Sequence, residues 1–596
     1  MSDVEQAKAH FFAALDLFDA RDYAAAEVRF RAALAIVPDR ASGLINLSAT
    51  LFRQDKFGEA IEVARRALTI EPDAVEALVA LGSALVKQRR LDEALVAMER
   101  AVAAAPSDPT ALMGRASVLT ELRRYDLAIA DYRAAQRIDP GKENLRGLLV
   151  TAQMQACDWT GLAGETDALL ADIRRGKALA NPFYLLTTPA TAADQLLGAR
   201  GMTRRDYLPL SPLFRGERYD NDRIRVAYVS GDFHKHATAH LMTGVFEHHD
   251  RARFETFGIS VGPDDGSPER QRLLTAFDHF VDVQERGNDE IAALIHGNRV
   301  DIAVDLGGFT EGGRLAVFAR RPAPVQVSYL GLPGTTGAPY LDYLVADAVV
   351  IPADAHRFYS EKIVTLPDTY QANDDKRRIA PGTPTRREAG LPETGFVFCC
   401  FNNNYKIAPV VFDIWMGLLA AVEGSVLWLM RSNEVAAANL RREAAARGVS
   451  PDRLVFAPPL PVAEHLARHR LAGLFLDTSP YNAHTTASDA LWSGLPVLTC
   501  PGSTFPSRVA ASLLRAIGLP ELITSSFEEY RDLALTLARD PERLAAIRTK
   551  LAANRDTTAL FDTARFTRHL ESAYSTMVER HRRGEAPAPF AVEPVG

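Results

Sequence analysis

Cysteine is scarce in this chain. Four occur among 596 residues (Cys157, Cys399, Cys400 and Cys500), none of them in a C-x-x-C pair. That excludes a disulfide framework, gives no cysteine zinc site and fits a reducing compartment. Long apolar runs are also missing: none reaches the roughly 18 residues needed to span a bilayer. The start, "MSDVEQAKAH", lacks the basic and apolar regions of a signal peptide, so a cytoplasmic protein with no membrane span is expected. Positive charge is in deficit, 68 Lys and Arg against 75 Asp and Glu for a net charge of −7, and no long basic cluster offsets it. Nucleic acid is therefore not an expected partner. No G-x-G-x-x-G or Walker loop follows any strand-like run, which argues against a dinucleotide oxidoreductase and a P-loop ATPase. His236 and His240 have the i, i+4 spacing of a helical metal pair, but no H-E-x-x-H sequence surrounds them, so no metal is expected.

What is present begins with a repeat. Segments 7–40, 41–74, 75–108 and 109–142 share a period of 34 residues, marked by Pro38, Pro72, Pro106 and Pro140. The eighth place is small (Ala14, Ser48, Gly82, Ala116), as are the twentieth (Ala26, Ala60, Ala94, Ala128) and the twenty-seventh (Ala33, Ala67, Ala101, Ala135). Close helix crossings require such side chains. The seventeenth place is bulky (Tyr23, Phe57, Leu91, Tyr125), and each proline stops a second helix. This is the tetratricopeptide (TPR) pattern over 1–142, an α-solenoid whose groove holds a protein or peptide. Residues 143–222 continue as helix, "ENLRGLLVTAQMQACDWTGL", and then loosen into "YLPLSPLFRGERYDNDR", read as a degenerate repeat and a connector.

From Arg223 the pattern changes to β-branched runs separated by helices: "RIRVAYVSGDF", "FETFGISV", "VDIAVDLGGFT", "VQVSYLGLPG", "YLVADAVVI" and "EKIVTL". A second series is "FVFCCFN", "SVLWLMRS", "RLVFAPPL", "LAGLFLDT", "PVLTCPG" and "ELITS". Continuous apolarity marks buried parallel strands, giving two Rossmann-like α/β lobes at 223–390 and 391–583. The last helical region, 560–583, is a candidate brace back to the first lobe, and 584–596 reads as a flexible tail. Ligands of such sheets bind beyond the carboxyl ends of the strands.

Polar residues gather there. "LDTSPYNAHTTASDALWSG" turns from strand to helix at His484, Thr485 and Thr486, where free N–H groups, with His484 as a third donor, suit a diphosphate. Asp489, one turn further along, is placed to accept hydrogen bonds from ribose hydroxyls. "CCFNNNYKI" offers Asn402, Asn403, Asn404 and Lys406, the lysine as a charge for a departing diphosphate. His465 is either a surface helix residue or a platform for a base. In "VSGDFHKHATAHLM", Asp232 and His236 suit proton transfer or sugar contact. The glycines of "VDLGGFTEGGR" and "LGLPGTTG", Gly331 among them, let backbone approach a sugar closely.

Together, the repeats and the ordered motifs "VSGDFHKHATAHLM", "VFARRPAPVQVSYLGLPGTTGAPYLDY", "FNNNYKI", "SVLWLMRS" and "LDTSPYNAHTTASDALWSGLPVLT" closely resemble the O-GlcNAc transferase and SPINDLY family, glycosyltransferase family 41, from about residue 7 to 580. The resemblance implies a GT-B fold and metal-independent, inverting transfer of a sugar to protein Ser or Thr hydroxyls, with a nucleotide-sugar donor and no further cofactor. Carried over residue by residue, Lys406 and Asn403 contact the donor phosphates. His484, Thr485 and Thr486 hold the pyrophosphate, Asp489 the ribose, and His465 sits against the base. His236 contacts sugar or acceptor, and Asp232 is a candidate proton carrier. Two departures bear on the donor: a family lysine that reaches the ribose is Val462 here, and a small cysteine beside the sugar is Tyr481. GlcNAc from UDP-GlcNAc is the default, and a CMP-linked nonulosonic sugar placed on flagellin is the alternative. The asparagines that line the family's groove are replaced at the sixth repeat place by Phe12, Asn46, Ala80 and Gly114, which leaves apolar capture of a narrower range of clients. An inactive adaptor, a sugar-nucleotide epimerase and a homodimer through the repeats stay open at this point.

Overall fold

The computed structural model describes residues 2–177 and 180–595. It divides into two units, one ending at Ala156 and the other beginning at Cys157.

In the first unit each 34-residue segment folds as two helices: Asp3–Asp19 with Tyr23–Ile36, Ala41–Arg53 with Phe57–Ile70, Val75–Lys87 with Leu91–Ala104, and Pro109–Glu121 with Tyr125–Ile138. Every second helix ends two residues before its proline, because the residue preceding a proline is pushed out of the helical region. The recurring small residues are all buried. A Cβ on Gly82 would lie 2.7 Å from the end of the Met98 side chain, so a larger residue there requires Met98 to shift. Ser48, the polar member of the series, is satisfied by donating to the Ala60 carbonyl (2.9 Å). The turn inside each pair is made by one residue in the left-handed region, Arg21, Asp55, Arg89 and Arg123, at φ of 58 to 62°. A ninth helix, Leu145–Ala156, packs on Tyr125–Ile138. The stretch 143–222 is thus divided, its first helix joining the array and the remainder the second unit.

The second unit holds two all-parallel sheets. The strands are β1 Ile224–Ser230, β2 Phe254–Ser260, β3 His279–Asp282, β4 Ile302–Asp305, β5 Val325–Ser328, β6 Tyr343–Asp347, β7 Lys362–Leu366, β8 Val397–Cys400, β9 Val426–Met430, β10 Leu454–Ala457, β11 Leu474–Leu476, β12 Val497–Leu498 and β13 Phe590–Ala591. The first sheet runs β13-β7-β6-β5-β4-β1-β2-β3 and the second β10-β9-β8-β11-β12. Each contains the Rossmann order, which reverses direction between β1 and β4 and between β8 and β11, and these are the points where such sheets open a crevice. The two lobes make the GT-B arrangement.

Three expectations are corrected. "ELITS" forms no strand beyond a single bridge between Thr499 and Ile523. β3 was not foreseen. The end of the chain is not loose, since β13 adds to β7 at the edge of the first sheet and gives its unpaired backbone groups partners. The helix Thr563–Arg582 does return to the first lobe, packing on the helix Ala237–His248. There Glu571 accepts from the Asp250 N–H (2.7 Å) and meets His249 Nδ1 (3.0 Å). Between the lobes, Gln371 donates to Ser488 (2.7 Å), and Ser512 donates to Asp347 (2.6 Å).

Candidate active site

The turn after β8 and the turn after β11 meet at Lys406. Lys406 sits in a single 3-10 turn, Asn404–Lys406, and is 8% exposed. Its ammonium donates to the Asn482 carbonyl (2.9 Å) and lies 3.8 Å from the centre of the Tyr481 ring. Burial pushes it down to about 7, against the pull of the Asp477 carboxylate. Among the described residues no carboxylate forms an ion pair with it, so the charge is held by a carbonyl dipole and an aromatic face.

Asp477, the residue after β11, ties down the loop that presents this carbonyl. Its Oδ1 accepts from the N–H groups of Thr478 (2.7 Å) and Ala483 (2.5 Å), and its Oδ2 from the Thr499 hydroxyl (2.6 Å). Burial drives its carboxyl up to about 7. Asn482 is fully buried, donating from its backbone to Pro506 (2.9 Å) and from its amide to the Thr478 carbonyl (2.7 Å). The loop therefore closes on itself before the helix Thr485–Trp492 begins.

At the start of that helix the first intrahelical bond runs from the Ala487 N–H to the His484 carbonyl (3.0 Å), which leaves the Thr485 and Thr486 N–H groups ahead of it. The Thr486 hydroxyl donates to Asn402, whose amide donates in turn to Thr478 (2.7 Å). Asn402 thus joins the two turns, whereas Asn403 is exposed, its amide donating to the Tyr405 hydroxyl (3.4 Å) and its carbonyl accepting the Lys406 N–H (3.0 Å). The reading of His484 as a third side-chain donor is corrected. Its Nε2 lies 3.2 Å from the Pro506 carbonyl, which can only accept, so the proton sits there and Nδ1 carries none. Burial holds the ring well below its ordinary pKa and neutral.

Asp489 is not free either. Arg377, from the segment linking the lobes, places Nη2 2.6 Å from its Oδ1, an ion pair whose atoms are not aligned as a hydrogen bond, with side chains 7% and 11% exposed. Val462 opens the helix Val462–Arg468, where His465 lies partly buried against Phe401 and its Nδ1 accepts from Arg468. Burial pushes His465 down to about 2.

Across from these, the first lobe contributes the turn after β1. His236 caps the helix Ala237–His248 by accepting the Thr238 N–H at Nδ1 (3.3 Å), and the same nitrogen lies 3.4 Å from Asp232 Oδ2. The histidine side chain is 45% exposed and the aspartate 12%. Burial raises the Asp232 carboxyl and lowers His236, so the pair rests as a neutral ring beside a reluctant carboxylate. His240, one turn along, is held neutral by burial and by the charge of Arg377. Among the described residues no three His, Cys, Asp or Glu side chains converge as a metal-ligating set.

The floor of this lobe is bare backbone. A Cβ on Gly231 would lie 2.8 Å from the Gly312 carbonyl oxygen, and one on Gly331 would fall inside the Leu306 carbonyl. Packing between strand-end loops therefore accounts for Gly331. Sequence reasoning missed Asp477 and Arg377. The signal for the first was a carboxylate ending an apolar run; the second lies in the charged string "DDKRR" with no signal of its own.

The sequence model of glycosyl transferase family 41 matches residues 212–382 and 381–570, and that of the tetratricopeptide repeat matches 13–75 and 79–143. The Arabidopsis thaliana protein named probable UDP-N-acetylglucosamine–peptide N-acetylglucosaminyltransferase SEC is 42% identical over 376 residues, covering 62% of this chain and 38% of that protein. The Caenorhabditis elegans UDP-N-acetylglucosamine–peptide N-acetylglucosaminyltransferase is 29% identical over 489 residues, covering 63% and 42%. The chain thus spans about two-fifths of the length of these curated relatives. A solved structure of a mutant Thermobaculum terrenum O-GlcNAc transferase superposes with a TM-score of 0.67 at 29% identity, covering 91% of this chain and 98% of that one. Among the described residues no helix is long and apolar enough to cross a membrane.

Proposed function

Because the chain belongs to glycosyl transferase family 41, we propose that it is a protein O-glycosyltransferase that moves a sugar from a nucleoside diphosphate donor to Ser or Thr hydroxyls of a client protein. The observation that carries this reading is the buried Lys406 ammonium, held by a neutral carbonyl beside the N-terminus of Thr485–Trp492. Two convergent positive features at one sheet's switch point suit a diphosphate leaving group.

In the reaction the acceptor oxygen attacks C1 of the sugar while the C1–O bond to the β-phosphate breaks, its electron pair passing to the phosphate oxygen. Lys406 and the Thr485 and Thr486 N–H groups stabilise that developing charge; single donors of this kind are worth roughly 3 to 4 kcal/mol. The hydroxyl proton passes to the Asp232–His236 pair, whose basic positions are the Asp232 carboxylate and His236 Nδ1, 3.4 Å apart. Attack from the first lobe with departure toward the second inverts the anomeric centre. The relatives named for UDP-N-acetylglucosamine favour UDP-GlcNAc over a CMP-linked donor, and the repeat array is the surface suited to a protein client. No observation favours a flagellin client or a dimer.

Intact-mass spectrometry tests the reading. Incubation with UDP-GlcNAc and candidate clients adds one N-acetylhexosamine per site, and Lys406→Ala abolishes the gain without lowering the melting temperature. Wild-type turnover by that variant defeats the assignment.

A further inference from the structure

A second concavity of about 780 Å³ lies in the same unit, away from these strand ends. Leu341 and Asp342 on its wall precede β6, Lys362 opens β7, and Ala586 and Pro587 precede β13. The three strands are parallel, so the cavity borders their amino ends, the opposite edge of the sheet from Asp232 and His236. The helix Ala192–Asp206 contributes Arg200, Thr203 and Arg204 to its wall, and connecting segments contribute the rest.

Three cations line it: Arg200 and Arg204, one turn apart on the helix, and Lys362. All three are exposed, and among the described residues none of their side chains forms an ion pair or a hydrogen bond, the Lys362 N–H alone bonding to the Asp342 carbonyl (2.9 Å). Asp342 is the one carboxylate on the wall and is already committed, accepting from Arg321 (3.1 Å) and from the Gln326 N–H (2.8 Å). The cavity is therefore net positive on a chain of net charge −7. Arg204 complements the negative end of its helix, which accounts for one of the three. Arg200 sits four residues before it, a spacing at which like charges repel, and Lys362 is on a strand.

The form of the site selects its occupant. A compact phosphate is normally met by converging N–H groups at a helix N-terminus, and this helix offers its carboxyl-terminal half. Separate long cations over apolar walls, Leu208, Pro209, Pro339 and Pro587, match carboxylates spaced along an extended chain with apolar side chains between them. We propose that this cavity is an exosite for an acidic, extended segment of the client protein. The assignment rests on the reading that the client is a protein. The exosite lowers the KM for acidic clients and leaves the chemistry at Lys406 untouched.

A fluorescein-labelled decapeptide alternating Glu and Leu, titrated into the full chain and followed by anisotropy, tests it. Saturable binding is expected that weakens with added salt, is insensitive to excess UDP, and falls at least tenfold in the triple variant Arg200→Glu, Arg204→Glu, Lys362→Glu. Lys362→Glu alone gives a smaller loss, and both variants keep wild-type affinity for UDP, which certifies their fold. Equal binding by the triple variant, no saturable binding by the wild type, or displacement by inorganic pyrophosphate as readily as by unlabelled peptide overturns the proposal. A wild-type chain that binds the peptide but no nucleotide would sink the transferase reading and leave the exosite standing.

Discussion

Raising the pH from 7 to 9 should strip Lys406 of its proton and with it most of the affinity for a nucleoside diphosphate. An exposed lysine stays charged to about pH 10. Burial lowers Lys406 to about 7, so half the molecules carry the ammonium at pH 7 and about one in a hundred at pH 9. If only the charged form binds UDP, whose terminal phosphate, with a second pKa of about 6, is largely ionised across this range, affinity falls about 50-fold, roughly 2.3 kcal/mol. Isothermal titration of UDP into the full chain at pH 7, 8 and 9, in two buffers of different ionisation enthalpy, reads both the loss and the proton taken up on binding. Lys406→Arg, with a charge that does not titrate, should flatten the profile. A wild-type affinity unchanged between pH 7 and 9 would refute the reasoning. Stability of the unliganded chain follows the same linkage. Between about 7 and the ordinary lysine value of 10.5 the unfolded state holds a proton that folded Lys406 has lost, so this group's contribution rises with pH there. Asp477 is the reverse: its raised carboxyl holds a proton in the fold that the unfolded chain releases above 3.8, so its contribution falls as pH rises toward 7. Together the two groups favour the unliganded fold least near neutrality.

Asp477→Asn exchanges an acceptor of three hydrogen bonds for an amide that cannot accept them all, and should lower stability by about 1 to 3 kcal/mol in urea titration while weakening UDP binding. Arg377→Ala leaves the Asp489 carboxylate buried without its partner; a loss of about 3 to 5 kcal/mol is expected, and Asp489→Asn added to it should restore part of that. Gly331→Ala drives a Cβ into the Leu306 carbonyl between two strand ends, so the variant should fail to accumulate as soluble protein, whereas Gly164→Ala, in the helix Leu162–Arg174 where a Cβ meets nothing, should accumulate normally and gain up to about 1 kcal/mol.

How much of this was legible depends on how local each constraint is. The repeats could be read because every crossing between neighbouring helices imposes the same demand at Ala26, Ala60, Ala94 and Ala128, and the demand recurs at a fixed spacing. The central strands were plain because both faces are covered, which makes their sequences uniformly apolar. β3 escaped for the converse reason: "HFVD" is four residues on a sheet edge with its two end residues exposed, too short and too polar to stand out. The chain end escaped because β13 is two residues long and exists only through its pairing with β7. In the site, the residues at strand ends were legible from their position after apolar runs. Partnerships were not: Arg377 is 112 residues from Asp489, and no spacing rule links a charged interlobe segment to a helix in the second lobe.

The charge centres at Lys406 and at Asp489 are built on opposite principles, and the difference matches the chemistry each side of a nucleotide donor would require. Lys406 is answered by a carbonyl and a ring, neither of which carries a formal charge, so an incoming diphosphate need not break a salt bridge to reach the ammonium. The nearby carboxyl, Asp477, is turned away onto two N–H groups and a hydroxyl, which fixes the loop without neutralising the lysine. His484 is similarly committed through Nε2 to Pro506, leaving amides rather than a titrating ring beside the phosphate. At Asp489 the carboxylate is already balanced by Arg377, yet the misaligned pair leaves Asp489 Oδ1 and Arg377 Nε without hydrogen bonds. A neutral hydroxyl beside this pair would leave its charge balance undisturbed, and a second anion would not. Under the proposed function, the uncompensated cation at the helix start would therefore receive the donor phosphate, and the balanced pair one turn along its neutral hydroxyls.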